Sequence, residues 1–134
     1  LAVNPDGVLL RRSMAHAHSE AAAEVPVHSG FGYRLVVSRK LYDNGTNVAQ
    51  SPSLVGLAPS SALHMHPLDF GSLGVDEGTS IKVSSHRTSI VMPVVMDDSV
   101  VRGTVWAAWA LTGANIGELI DSSRLVNDVN VETL

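Results

Sequence analysis

Cysteine is absent from the 134 residues of this chain. That removes disulfides, thiolate zinc sites, cysteine-ligated iron–sulfur clusters and a cysteine nucleophile, and it suits a reducing compartment. Aromatic residues are scarce, at 4%, so the core must be built from Val, Leu, Ile, Ala and Met. Basic charge is short as well. Nine Lys and Arg stand against 13 Asp and Glu, for a formal net charge of -4. A nucleic-acid partner needs a basic face to displace counterions, and an anionic membrane surface needs one too, so both are excluded as expectations. No apolar run approaches the roughly 18 residues that span a bilayer, so no membrane insertion is expected. The P-loop lysine pattern and the G-x-S-x-G elbow are missing. Gly30-x-Gly32 precedes a strand rather than following one, and it lacks the third glycine of a dinucleotide fingerprint.

Hydrophobic residues make up 45% of the chain, enough for one modest core and one domain. The chain begins at Leu1 and reads as a piece of a longer polypeptide. Residues 1–32 read as a connector or N-terminal extension. Asn4-Pro5-Asp6-Gly7 signals a turn, residues 11–24 hold helix formers without an apolar stripe, and Pro26 with "HSGFG" breaks the chain. Residues 33–134 read as the folded domain. Strands are expected at Tyr33–Ser38, Ser60–Met65, Thr79–Ser84, Ser89–Met96 and Thr104–Trp109, with a further loop and strand in "LVNDVNVETL". Pro93 demotes its strand to an edge or a bulge. "TVWAAWAL" is ambiguous, because alanine favours helix while Val105, Ala107 and Trp109 alternate. Short helices are expected at "SPSLVGLAP", where Ser51 caps and Pro52 takes the first position, at Pro67–Leu73 before Gly74, and at "ANIGELI". Short strands with few helices suggest a closed β-barrel with helical inserts.

Candidate chemistry is thin. His16-x-His18 and His64-x-His66 invite a metal reading, since residues two apart on a strand share a face. Only Asp69 or His86 could supply a third ligand, so no metal is expected. Gly71-Ser72 matches a self-cleaving pair, but it falls in an expected helix. Asp76-Glu77 and Asp97-Asp98 read as solvated turn residues. The loop "SRKLYDNGT" follows a buried strand and offers Ser38, Arg39, Asn44 and Thr46. Strand-end loops are where ligands bind, although an ordinary polar loop has the same composition.

"RLVVSRKLYDNGT", "HPLDFGSLGVDEGTSIKV", "VVRGTVW" and "GANIGELI" stand in an order and spacing that resembles the C-terminal domain of the molybdopterin oxidoreductases. "LYDNGTNVAQSPSLVGLAP" is most similar to one branch, the large iron–sulfur subunit of bacterial NADH-quinone oxidoreductase, respiratory complex I. The resemblance covers roughly residues 33–119. It implies a mainly β fold, a six-stranded double-psi β-barrel of the aspartate-decarboxylase-like kind with short helical inserts. It also settles "TVWAAWAL" as strand.

By position, the resemblance implies cofactor contacts at Ser38, Arg39, Gly45 and Thr46, an acidic residue at Asp69 and an asparagine near the pterin at Asn115. Lys40-Leu41-Tyr42 and Arg102 depart from the family pattern. Three functions are implied. The first is a structural domain of that large iron–sulfur subunit, supporting electron transfer from NADH to quinone in the parent complex. There it would contact the rest of its parent and other peripheral-arm subunits at the cytoplasmic side of the bacterial inner membrane. In that reading the domain keeps at most a vestigial molybdopterin guanine dinucleotide site, no cofactor is expected in the fragment, and the iron–sulfur clusters lie elsewhere in the parent. The alternative is the cofactor-binding domain of a molybdopterin guanine dinucleotide oxidoreductase. The third is a small independent enzyme, which the lack of a convergent acid, base and nucleophile weakens.

Overall fold

A computed structural model describes residues 30–134 together with Glu24, Pro26, Val27 and His28. The turn at residues 4–7, most of the helix expected over 11–24 and His16-x-His18 lie outside the described residues. Six strands make the domain: β1 (Tyr33–Ser38), β2 (Leu63–Met65), β3 (Ser80–Ser84), β4 (Ser89–Met96), β5 (Thr104–Ala108) and β6 (Asn127–Thr133). They close into a barrel in the order β1-β5-β2-β4-β3-β6. β1 runs parallel to β5 and β2 parallel to β4, while the remaining neighbours are antiparallel. The fold is therefore the mainly β, closed six-stranded barrel with short helical inserts that the sequence implies.

Alternation drives the closure. Ile81 and Val83 of β3, Ile90, Met92 and Val94 of β4, and Val105 and Ala107 of β5 point inward with Leu35, Leu63, Met65, Val129 and Val131. Inner side chains that are small or branched aliphatics, with Met65 and Met92 as flexible fillers, occupy so narrow a barrel without bulky rings. Ile116 and Leu119 of a 3₁₀ turn (Ile116–Leu119) are buried with this cluster, and Phe70, Leu73 and Val75 pack partly buried against it.

Pro93 is neither on an open edge nor in a bulge. Val94 uses both its N–H and its carbonyl toward the β3 side, bonding Thr79 and Gly78. The nitrogen of Pro93 therefore faces β2, whose pairing with β4 starts one residue later at Leu63↔Val94. The missing donor falls where no ladder bond is due.

"TVWAAWAL" is strand only through Ala108, after which Trp109 and Ala110 bend away. The helix expected in "SPSLVGLAP" is shorter and later than Ser51-Pro52 suggests, and an unanticipated turn precedes it. A one-turn helix α1 occupies Thr46–Ala49, and Leu54 precedes a 3₁₀ turn at Val55–Leu57. Ser51 still collects amides, but with its carbonyl, from Leu54 and Val55. The strand expected from Ser60 is regular only from Leu63, with Ser60 making a single bridge to Thr112. Helix α2 (Pro67–Gly71) starts at His66 as expected from Pro67, and Gly74 takes a φ of 66° beyond its end. Among the described residues no helix is long and apolar enough to cross a membrane.

Candidate functional site

Because β1 and β5 are parallel, the loops that follow them leave the barrel at the same end. Backbone bonds tie the two loops together. Trp109 N–H donates to the Ser38 carbonyl at 2.8 Å and Asn44 N–H to the Ala110 carbonyl at 2.7 Å. The Asn44 amide adds a bond of 2.5 Å to the Thr112 hydroxyl. Ala110 is held at a φ of 56°, the one non-glycine residue at positive φ among those described, which marks how sharply the second loop turns.

Within the first loop, Asp43 is the organiser. It is buried, and its carboxylate accepts from Arg39 at 2.9 Å (Nε) and 2.6 Å (Nη2) and from the Gly45 N–H at 2.8 Å. The Arg39 hydrogen bonds, with that of Gly45, hold the Asp43 carboxyl below the usual carboxylate range. Gly45 has to be glycine-sized, since a Cβ there would lie 2.8 Å from Asp43 Oδ1. Thr46 follows at the first position of α1.

Arg39 is thus exposed along its length, with 68% of its side chain in solvent, yet its charge is matched by Asp43. Two of its guanidinium nitrogens are committed to Asp43 and Nη1 remains open. Ser38 Oγ accepts from the Trp106 indole at 2.9 Å. Asn115, on the second loop, uses its carbonyl oxygen to cap the 3₁₀ turn through Gly117 N–H at 3.1 Å, leaving its NH₂ as a donor. Ser38, Arg39, Gly45, Thr46 and Asn115 therefore gather on loops at one end of the barrel.

Asp69 is not among them. It sits on α2, where Oδ2 accepts from Gly103 N–H at 2.7 Å and Oδ1 lies 3.6 Å from Arg102. Gly103 precedes β5, and its carbonyl accepts from Arg34 N–H at the start of β1. The four-residue advance from Arg34 to Ser38 along the β1/β5 register separates the two ends by about 13 Å. The expectation that Asp69 lies beside the loop is corrected on that ground. Arg102, which departs from the family pattern, faces Asp69 and not the loop.

His64 and His66 also part company. His66 Nδ1 accepts from Leu68 N–H and caps α2, whereas His64 Nδ1 is 3.0 Å from Asp97 Oδ2. Asp97 is consequently no free turn residue. Its other oxygen accepts from Ser99 N–H at 3.0 Å and Ser99 Oγ at 2.6 Å. Among the described residues no three His, Cys, Asp or Glu side chains are grouped to hold a metal ion. The residues that sequence reasoning missed are Asp43 and Asp97. Asp43 had a signal, an acid four residues after Arg39 and directly before Asn44-Gly45, where a carboxylate turns back on its own backbone.

Residues 33–130 match the family described as "Molydopterin dinucleotide binding domain". Curated relatives in two strains of Geobacter sulfurreducens, each an "NADPH-Fe(3+) oxidoreductase subunit alpha", are 26% identical over 98 residues. That stretch is 73% of this chain and 12% of theirs, so the chain spans about an eighth of these relatives. The structure titled "Acetylene Hydratase from Pelobacter acetylenicus" superposes with a TM-score of 0.59 at 15% identity, over 78% of this chain and 18% of that one. At that identity the likeness is one of fold.

Proposed function

The chain belongs to the molybdopterin dinucleotide binding domain family, and from that membership we propose that it is the cofactor-binding domain of a molybdopterin guanine dinucleotide oxidoreductase. The observation that carries the reading is the tied pair of loops at the shared end of β1 and β5. It collects Arg39 Nη1, the Thr46 hydroxyl, the Ser38 hydroxyl and the Asn115 NH₂ on one surface. These are donors, as the phosphates and carbonyls of a dinucleotide require, and the glycine at position 45 leaves room for the Asp43 carboxylate that positions Arg39. The donor set fits a nucleotide. Arg39 would pair a phosphate oxygen, Thr46 and Ser38 would bond the sugar–phosphate edge, and Asn115 would read an amide edge. When bound, such a cofactor supplies the metal-centred redox chemistry of the parent enzyme. Residues of this chain hold and orient it.

The structural reading, a domain of the large iron–sulfur subunit in NADH-quinone oxidoreductase, has one observation in its favour. Asp43 already balances the charge of Arg39, so the loop draws a phosphate less strongly than a free guanidinium does. The relatives and the family description fit the cofactor-binding reading better. In both readings the parent is an oxidoreductase, the domain packs on the rest of that parent, and the 134-residue chain alone is redox-silent.

Titration of guanosine diphosphate into the chain, followed by backbone amide shifts, tests the choice. Cofactor binding predicts shifts grouped on residues 38–46 and 109–115, weakened roughly ten- to a hundredfold in Arg39→Ala, as loss of a charge-assisted hydrogen bond implies. No shift at millimolar ligand would favour the structural reading. Shifts centred on Asp69 would move the site to the other end of the barrel.

A further inference from the structure

A cleft lies on the outer wall of the barrel beside the first tied loop and has a volume of about 400 Å³. Register explains its floor. Val36 of β1 pairs with Trp106 of β5, and Trp106 pairs with His64 of β2, so these three side chains form one outward row across three strands. Asp97, Ser99, Val100 and Val101, from the turn between β4 and β5, close one side. Lys40 reaches back from the end of β1, placing Nζ 5.1 Å from the centre of the Trp106 ring.

The polar groups in this cleft are specific. His64 is held twice, by Asp97 through Nδ1 and edge-on by Trp106 with ring centres 4.6 Å apart. A carboxylate only accepts, so Nδ1 carries the proton and Nε2 is an acceptor. Burial, the larger effect, keeps the imidazole pKa below its usual value despite Asp97. Lys40 has no carboxylate partner among the described residues. Of the remaining lining, Val36, Val100, Val101 and Trp106 are apolar, Ser99 and Thr104 are polar, and the Asp97 carboxylate is committed to His64 and Ser99. The cleft thus offers one cation, one fixed neutral acceptor and a greasy slot sized for one or two rings.

We propose that this cleft is a binding site for a small hydroxylated aromatic carboxylate, its carboxylate paired with Lys40, its ring between Val36, Val100, Val101 and Trp106, and its hydroxyl donated to His64 Nε2. An anionic end is required by Lys40 and a donor by His64. A ring suits the apolar part of the lining, which is Val36, Val100, Val101 and Trp106.

The probe is para-hydroxybenzoate, with benzoate and phenol each lacking one polar end. Each is titrated into the full chain, and the Trp106 indole N–H and the amides of residues 36, 40, 64 and 100 are followed. Para-hydroxybenzoate should shift these signals and bind about tenfold more tightly than either control, the effect of losing one hydrogen-bonded contact. Lys40 is exposed, so Lys40→Met should fold normally. In that variant para-hydroxybenzoate should weaken to the level of phenol, with phenol unchanged. Equal binding of the three probes, shifts located elsewhere, no shift at ten-millimolar probe, or binding indifferent to Lys40→Met would overturn the proposal.

Discussion

Gly113→Ala tests whether the end of the barrel that carries the tied loops is fixed by one close approach. Gly113 has a φ of 117°, open to glycine and costly to any residue with a Cβ. A Cβ there would also strike Ser61 Oγ. Ser61 cannot move aside freely, because it is buried, accepts from Ala114 N–H at 2.9 Å, and donates its own N–H to the Thr112 carbonyl at 2.8 Å. The substitution therefore combines backbone strain of about 1–3 kcal/mol with disruption of a buried hydrogen bond worth about 1–3 kcal/mol. Together these come to roughly 2–6 kcal/mol. Gly78→Ala is the control. Gly78 is at a φ of 84° with nothing within 4 Å of an added Cβ, so only strain of about 1–2 kcal/mol applies. Urea unfolding of both variants measures the difference, and Gly113→Ala combined with Ser61→Ala should recover part of the loss, since the clashing oxygen is gone. Equal destabilisation by the two glycine substitutions, or no recovery in the double variant, would show that the Ser61 contact does not hold the loop.

Two further outcomes follow from the charged groups. Folded His64 binds a proton less readily than its unfolded counterpart of pKa 6.5, so its contribution to stability is complete above pH 6.5 and is lost as the pH falls below it. Urea midpoints taken between about pH 8 and pH 5 should decline in the parent and decline less in His64→Gln, and a parent midpoint that rises toward acid would refute this. Arg34 donates to the buried Asp128 carboxylate at 3.1 Å across the β1/β6 pair and to the Pro26 carbonyl at 2.7 Å. Arg34→Met removes one charge-assisted hydrogen bond from the Asp128 carboxylate and should cost about 1.5–3 kcal/mol in thermal or urea unfolding, and the absence of any measurable loss would contradict the pairing.

The barrel strands were legible because their side chains alternate between an inner aliphatic face and an outer mixed one. Ser89–Met96 is the clearest case, since its observed bounds are those the apolar run implies. The ambiguity of "TVWAAWAL" was real. Ala107 is a strand residue because it pairs with Val37 of β1 and Leu63 of β2, and Ala108 because it pairs with Ser38 of β1, both at buried positions, an effect of tertiary pairing that alanine propensity cannot register. The placement of α1 was not legible. Ser51-Pro52 is a good helix start by local chemistry, but the Asp43–Gly45 bond fixes the chain earlier and lets the turn begin at Thr46. Pro93 misled for a related reason, because which neighbour its nitrogen faces depends on register that the sequence does not display.

The strand-end loop was legible in the sequence, and the position of Asp69 relative to it was not. Strand-end loops can be guessed from a polar segment after an apolar one, and residues 38–46 and 115 do share one end of the barrel. Asp69 was assigned to the same surface because a family pattern orders residues along the chain, whereas proximity depends on the direction in which each strand runs. β2 is antiparallel to β5, so the helix that follows β2 must emerge where β5 begins, opposite the loop that follows β1. The charge on Arg39 shows the same limit in another form. From sequence it is a free cation beside Lys40 in a ligand loop, but with Asp43 folded beneath it the Arg39–Asp43 pair is close to neutral, and what it can offer a phosphate is the direction of one remaining N–H group more than a long-range field. A site of that kind discriminates by geometry, and its strength rests on the loops being held in place, which is the task of Asp43, Asn44 and the Ser61–Gly113 contact.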